Sequence, residues 1–293
     1  ENRRSRPGRS VRGDGLGHAD RLHVAPVGAA QILATVAANR PLTGGYFVLE
    51  LTTAQPNPIV DAQPGQFVML RGEWGRDLLN GRAFSVLQAI DERRFSVLLK
   101  VFGRGTALFQ AMAVGDRVTV TGPLGRGFPA PSNDRKQLLI AGGVGLPPLH
   151  MHARAAARAG QADRVEMFYG GRTRDDLVLT EDLDRWAITT TLATEDGTRG
   201  VAGRVTAPLL ARLDQAAQAG EAVELLACGP TPMLEALRSI ALDRGVPTYL
   251  CLEEMMACGF GVCLGCAVPV YGAKPYKYCC TDGPVFEARE VRW

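Results

Sequence analysis

The stretch "CGFGVCLGC", residues 258–266, places three cysteines and three glycines in nine positions. No other part of the chain restricts its fold so tightly. The spacing is Cys258-x4-Cys263-x2-Cys266, then thirteen residues, then Cys280. A C-x4-C-x2-C run with a distant fourth cysteine is the plant-type arrangement for a [2Fe-2S] cluster. One short loop must wrap a small cluster and aim three thiolates inward. Gly259, Gly261 and Gly265 let the backbone turn sharply and come near the inorganic sulfurs. A structural zinc site is the alternative. Zinc sites usually pair C-x2-4-C knuckles two and two, a pattern that three cysteines in one glycine-rich loop fit less well. Spacing leaves the fourth ligand open between Cys279 and Cys280. Neighbours in an extended segment point opposite ways, so one of the two is expected to reach the cluster.

The remaining cysteines are Cys228 and Cys251, which makes seven in all. An odd number concentrated in one stretch does not suggest a secreted disulfide framework. It suggests metal or cluster ligation in a reducing compartment, and the expected localisation is cytoplasmic. The net charge is +3, but residues 1–12 carry Arg3, Arg4, Arg6, Arg9 and Arg12 against Glu1, which leaves −1 for the rest. The body is therefore not a basic nucleic-acid binder. The basic segment, residues 1–22, is expected to be a solvated, disordered tail. The chain begins at Glu1 rather than Met, so its native start is expected to be missing. The longest apolar run, "LLIAGGVGLPPL" (138–149), is short and broken by Gly and Pro, so no membrane span is expected. No apolar signal-peptide core precedes it. At 293 residues with a hydrophobic fraction of 46%, the chain can bury more than one core.

The body divides by texture. Short alternating stretches at 46–51, 66–70, 95–102 and 117–122, separated by turn signals, predict a small antiparallel barrel. "DERR" (91–94) reads as a hairpin turn. From residue 136 strands and helices alternate. "KQLLIAGG", "RVEMFYGG", "ITTTLATEDG", "AVELLACGP" and "PTYLCLEE" read as strands, the last of them closing the series. Helices are expected after the first, over 175–186, over "TAPLLARLDQAAQAG" and over "TPMLEALRSIALDRG". Such alternation implies a parallel sheet with right-handed crossovers. The expected fold is multi-domain, β plus α/β. It comprises a tail (1–22), a β-barrel (23–134), a parallel-sheet nucleotide-binding domain (135–248) and a small C-terminal iron–sulfur domain (249–293).

"EEMMACGFGVCLGCAVPV…YKYCCTDGPVF" resembles the C-terminal segment of the dihydroorotate dehydrogenase B electron-transfer subunits, a family of ferredoxin-reductase-like flavoproteins. The resemblance runs from about residue 28 to the end. The family's fourth cysteine directly precedes x-D-G-P. The match therefore selects Cys280, before Thr281-Asp282-Gly283-Pro284, and leaves Cys279 as an extra thiol. Membership implies FAD on the barrel. "RAFS", Arg82-Ala83-Phe84-Ser85, is similar to the flavin signature Arg-x-aromatic-Ser. There Arg82 can grip a pyrophosphate, Ser85 can donate to a ring nitrogen and Phe84 can pack on the flavin. Leu98-Leu99-Lys100 and Gly105-Thr106 fit the family's other flavin contacts.

On the nucleotide side, "AGGVGLPP" carries Gly142, Gly143 and Gly145 between a buried strand and a helix, where backbone N–H groups can meet phosphate. It is not a full G-x-G-x-x-G, and a tight strand–helix turn is the plain alternative. "ACGPTPML" resembles the second nucleotide motif of these reductases and offers Cys228, Gly229 and Pro230. Cys228 reads equally as a small buried apolar residue. Glu195 and Asp196 in "TEDG" suit ribose hydroxyls and repel a 2′-phosphate, favouring NAD over NADP, although Arg199 nearby acts against this. His18, His23, His150 and His152 form no ligand or triad pattern.

The resemblance implies an electron-transfer subunit carrying FAD and a [2Fe-2S] cluster and exchanging electrons with NAD. It also implies an FMN-containing dihydroorotate dehydrogenase partner, in a heterotetramer serving pyrimidine biosynthesis. Alternatives are a related NAD(P)H-ferredoxin oxidoreductase or hydrogenase flavoprotein subunit, or a zinc-stapled binding module. Several of those oxidoreductase relatives carry Asp at the first cluster position, where this chain has Cys258.

Overall fold

The computed structural model describes residues 29–75, 78, 80–131 and 134–293. The basic segment 1–22, His18 and His23 lie outside the described residues.

The first module is a closed antiparallel barrel of β1 (Ala30–Pro41), β2 (Tyr46–Thr53), β3 (Phe67–Gly72), β4 (Arg82–Ala89), β5 (Arg94–Lys100) and, after the short helix α1 (Arg104–Gln110), β6 (Arg117–Leu124). Their order around the barrel is β1-β2-β5-β4-β3-β6, and β1 pairs with both β2 and β6 to close it. Alternation explains the wall. Phe47, Leu49 and Leu51 of β2 point inward to meet Val68 and Leu70, Val97 and Leu99, and Val118 and Val120. Burying each such side chain contributes roughly 1.5–3 kcal/mol. A one-residue slip would turn the whole set outward, so register is strongly fixed. The turn at 91–94 forms as expected, with Asp91 Oδ1 accepting from the amides of Arg93 (2.9 Å) and Arg94 (2.8 Å).

The second module contains β7 (Lys136–Gly142), α2 (Leu146–Arg158), β8 (Val165–Gly171), α3 (Thr180–Arg185), β9 (Thr189–Thr194), β10 (Val201–Ala202), α4 (Thr206–Ala219), β11 (Val223–Cys228), α5 (Thr231–Arg244) and β12 (Thr248–Cys251). The sheet order is β10-β9-β8-β7-β11-β12, with every pair parallel. β7 reads as an unbroken apolar run because both its faces are covered. Leu138 and Ile140 pack with α4 and α5, while Leu139 and Ala141 pack with α2 and α3. Gly220 and Gly245 end α4 and α5 in the left-handed conformation.

The structure corrects two expectations. The helix expected over 175–186 is confined to Thr180–Arg185. Leu177, Val178 and Leu179 are all buried, and three consecutive side chains cannot share one helix face. The sheet also does not end at β12. The cysteine-rich segment forms a hairpin of β13 (Ala267–Pro269) and β14 (Tyr276–Tyr278), then sends β15 (Val285–Glu287) back to pair antiparallel with β12. Among the described residues, no helix is long and apolar enough to cross a membrane.

Candidate functional site

β7 and β11 are neighbours, yet the chain leaves β7 toward β8 and β9 on one side and reaches β11 and β12 on the other. Open α/β sheets bind ligands beyond the carboxyl ends of strands at such a switch point. The residues there are Gly142, Gly143 and Gly145 after β7, and Cys228, Gly229 and Pro230 at the end of β11. They meet backbone to backbone. A methyl group on Gly145 would lie 2.4 Å from the Cys228 carbonyl oxygen, and one on Gly229 would lie 3.0 Å from Gly142 Cα. Pro147 and Pro148 have no N–H, so the donors at this loop are amides of Gly143–Gly145 rather than of the first helical turn. The Cys228 thiol is buried beside its β12 partner Cys251. The Cys251 thiol and burial push it well above the ordinary thiol range.

Glu195 and Asp196 follow β9 and are exposed. Their amides bond to the carbonyls of Gly171 and Arg172 at 3.1 Å each, which seats the turn on the end of β8. Asp196 Oδ1 accepts from the Thr198 amide (3.0 Å) and hydroxyl (2.7 Å). Those bonds hold its carboxyl below the usual range. Arg199 is turned away, donating to the Leu177 carbonyl (3.2 Å) and the Thr180 hydroxyl (2.8 Å). A cavity of about 410 Å³ opens beside this turn, lined by Thr43, Arg174, Asp175, Leu177, Thr198 and Arg199.

On the barrel, Arg82 begins β4 and crosses the start of α1. A methyl on Gly105 would lie 2.7 Å from Arg82 Nε, so a glycine is what lets the guanidinium pass. The Thr106 hydroxyl accepts from the amides of Phe102 (2.9 Å) and Gly103 (3.2 Å), fixing the turn that precedes it. Arg82, Gly105 and Thr106 thus come together from separate parts of the sequence, and this glycine cradle fits a phosphate-bearing cofactor. Ala83 and Ser85 lie on the same strand, opposite Met69 and Phe67. Phe84 sits edge-on to Phe109 at 5.5 Å. Leu98 faces the sheet-side core and Leu99 the barrel interior.

The cluster loop packs on this same region. Gly259 has φ 83°, and a methyl there would lie 2.5 Å from Met69 Cγ, one residue pair from Ala83. The four cysteines form two pairs. Cys266 Sγ and Cys280 Sγ are 3.2 Å apart, and Cys258 Sγ accepts from the Cys263 amide at 3.4 Å. Burial pushes the Cys258 thiol up, but the amides of Cys263, Phe260 and Val262 outweigh it and bring it down to about 6. Cys280 is pushed up to about 12 by burial and by Cys266, and bound metal would offset that resistance to ionisation. Cys279 points the other way, its Sγ 3.4 Å from the Leu252 carbonyl. One sulfur–sulfur contact and one amide–sulfur contact thus join the four cysteines two by two, an arrangement that fits a binuclear cluster held by four cysteines.

Both described histidines, His150 and His152, are buried and held by polar side chains. His150 Nε2 lies 3.1 Å from Asp182 Oδ2, and His152 Nε2 lies 2.5 Å from Gln137 Oε1. Sequence reasoning missed Asp176, which it placed inside a helix. Asp176 accepts from Lys100 Nζ (2.5 Å) and the Tyr46 hydroxyl (3.3 Å) across the seam between the modules. No spacing rule connects residues 46, 100 and 176.

Residues 253–292 match the iron–sulfur cluster binding domain of dihydroorotate dehydrogenase B, and residues 139–239 match the oxidoreductase NAD-binding domain. The chain is 39% identical to the dihydroorotate dehydrogenase B (NAD(+)) electron transfer subunit of Geobacillus thermodenitrificans, over 88% of this chain and 96% of that one. It is 35% identical to the homologous subunit from Aquifex aeolicus, over 89% and 98%. A solved structure of the NADH-dependent reduced ferredoxin-NADP oxidoreductase superposes with a TM-score of 0.75 at 28% identity, covering 90% of this chain and 91% of that one. The ferredoxin reductase in carbazole 1,9a-dioxygenase gives 0.64 at 30% identity, covering 76% and 69%.

Proposed function

The chain belongs to the dihydroorotate dehydrogenase B electron transfer subunit family, and from that membership we propose that it carries electrons between an FMN-containing dihydroorotate dehydrogenase subunit and NAD. It is an oxidoreductase of the ferredoxin-reductase type with FAD, a [2Fe-2S] cluster and NAD as its cofactors and substrate. In this reading, residues 23–134 form the FAD module, 135–248 the NAD module and 249–293 the cluster module. Electrons run from dihydroorotate to NAD⁺ in pyrimidine biosynthesis, in a cytoplasmic heterotetramer. The seven unpaired cysteines support a reducing compartment.

One observation carries the proposal. The cluster loop packs through Gly259 on Met69, which pairs with Ala83 of the flavin motif, so the two redox groups would share one short path. When bound, FAD exchanges a hydride with nicotinamide and the cluster takes single electrons onward. The chain's residues supply grip and orientation. Arg82 would hold the flavin pyrophosphate beside Gly105 and Thr106, and Ser85 would donate to the flavin ring. Phe84 and the backbone of Leu98, Leu99 and Lys100 would flank it. Gly142, Gly143 and Gly145 would admit the nucleotide phosphates, with Cys228, Gly229 and Pro230 beside the nicotinamide. Glu195 and Asp196 would meet the ribose. Cys258 and Cys263 would hold one iron, and Cys266 and Cys280 the other.

The test is reconstitution with an FMN-containing dihydroorotate dehydrogenase subunit. Dihydroorotate-dependent NAD⁺ reduction that needs both chains supports the reading. A reconstituted pair that reduces ferredoxin but not NAD⁺ from dihydroorotate would move the ferredoxin-oxidoreductase reading to the front.

A further inference from the structure

Lys100 stands at the end of β5, where the sequence pattern assigns it to the flavin. Its ammonium is engaged elsewhere. It lies 2.5 Å from Asp176 Oδ1 and 4.6 Å from the Tyr46 ring centroid, and the Phe102 ring is 5.7 Å away. The pair is nearly enclosed, with 14% of the Lys100 side chain and 11% of the Asp176 side chain exposed. An ion pair this deep is costly unless its remaining lone pairs are satisfied. Here they are. Asp176 Oδ1 also accepts from the Tyr46 hydroxyl (3.3 Å), and Oδ2 accepts from the amides of Arg172 (3.1 Å) and Thr173 (3.3 Å).

Each end of the pair is wired to a different cofactor loop. On the barrel side, the residues after Lys100 lead straight into the turn at Phe102–Thr106, where Thr106 holds the Phe102 amide and Gly105 underlies Arg82. On the sheet side, the Tyr169 hydroxyl bonds to the Asp176 carbonyl (2.7 Å) and the Gly143 carbonyl (3.4 Å). Tyr46 presses its hydroxyl against Gly143, 3.3 Å from where a β-carbon would stand. The clasp therefore links the flavin-side turn to the nucleotide loop.

We propose that Lys100 is a positioning residue, whose ion pair with Asp176 fixes the turn at 100–106 against the loop at 142–145 and thereby sets the rate of hydride transfer. The inference rests on the functional reading above. In that transfer a carbon–hydrogen bond of the dihydronicotinamide breaks. The hydrogen and its electron pair pass to a flavin ring nitrogen, and one solvent proton completes the reduced ring. Small misplacements of reacting atoms slow such steps far more than they weaken binding.

The test uses the holoprotein with Lys100→Met, Lys100→Arg and the reversed pair Lys100→Asp with Asp176→Lys. Anaerobic stopped flow follows flavin absorbance after mixing with NADH, and flavin content and amide exchange are measured alongside. Lys100→Met should lower the limiting rate roughly ten- to a hundred-fold. The NADH dissociation constant should stay within about three-fold, flavin stoichiometry should be unchanged, and the isotope effect with deuterated NADH should rise. The amides of Arg172 and Thr173 should exchange faster. Lys100→Arg should recover most of the rate, and the reversed pair part of it. A Lys100→Met chain with the wild-type limiting rate overturns the proposal, since the clasp would then be structural only. One that loses FAD also overturns it, since Lys100 would then belong to the flavin grip. A wild-type chain whose flavin NADH does not reduce is a different failure, that of the functional reading itself.

Discussion

Cys279 and Cys280 are adjacent, yet their sulfurs serve opposite sides of one segment. Cys280 Sγ lies 3.2 Å from Cys266 Sγ, while Cys279 Sγ lies 3.4 Å from the Leu252 carbonyl inside the core. Cys280→Ser should strip or destabilise the cluster and stop delivery to an outside acceptor, while NADH still reduces the flavin. Cys279→Ser should keep two irons per chain and the reduced-state paramagnetic signal. Iron analysis of both variants decides, and the reverse pattern would put the ligand register one residue off.

Arg82→Ala removes a charged donor that threads past Gly105. Hydrogen bonds to charged groups contribute roughly 1.5–3 kcal/mol, so FAD affinity should fall about ten- to a hundred-fold. Dialysis at low protein concentration followed by flavin quantitation measures it. Full retention would remove Arg82 from the pyrophosphate site.

NADH should reduce the flavin roughly ten-fold faster than NADPH or better, because the exposed carboxylates of Glu195 and Asp196 would face the extra phosphate in the proposed site. Asp196→Ser should narrow that gap. The same change also removes the acceptor of two Thr198 bonds, so a fall in NADH affinity is expected beside the gain for NADPH. Equal rates with both nucleotides in the wild type would refute the selectivity assigned to Glu195 and Asp196.

Gly145→Ala would force a methyl to within 2.4 Å of the Cys228 carbonyl oxygen. Since that neighbour is backbone, the two loops must separate, at a cost of about 1–3 kcal/mol. The thermal midpoint should drop and NAD⁺ binding should weaken together. A midpoint equal to that of the wild type would mean the loops are not in contact in solution.

His152 is buried against the Gln137 side chain, and burial lowers its pKa from 6.5 to about 4. Folding therefore favours the neutral ring. The associated stability is fully present above pH 6.5 and is lost progressively as the pH falls toward 4, where the unfolded chain takes up a proton that the folded chain refuses. A shift of this size is on the order of 3 kcal/mol. Denaturant titrations between pH 7 and 4 should show this loss, and His152→Gln should flatten it.

Much of this was legible because the signals are local. Ligand spacing marked the cluster loop, and the alternation of apolar runs marked the sheet and most of the barrel. β1 and β4 were not read as strands. β1 is rich in alanine and β4 slips register between Val86 and Gln88, so neither shows clean alternation. Asp176 was hidden for a different reason. Its partners lie 76 and 130 positions away, and only the closing of barrel on sheet brings them together. β15 is just three residues long and takes its place from the edge it covers, not from its own pattern.

That edge strand has a consequence for how the chain would come apart. Leu252 and Pro284 are joined by a backbone hydrogen bond of 2.8 Å, and β15 is paired to β12 just beyond it. The cluster segment is thus a loop stapled at its base to the main sheet. Its opening is separable from global unfolding. Loss of iron should free residues 253–283 to exchange and to be cut by protease, while the barrel and sheet stay protected. The last strand would remain seated, which leaves the loop tethered in place to receive a new cluster.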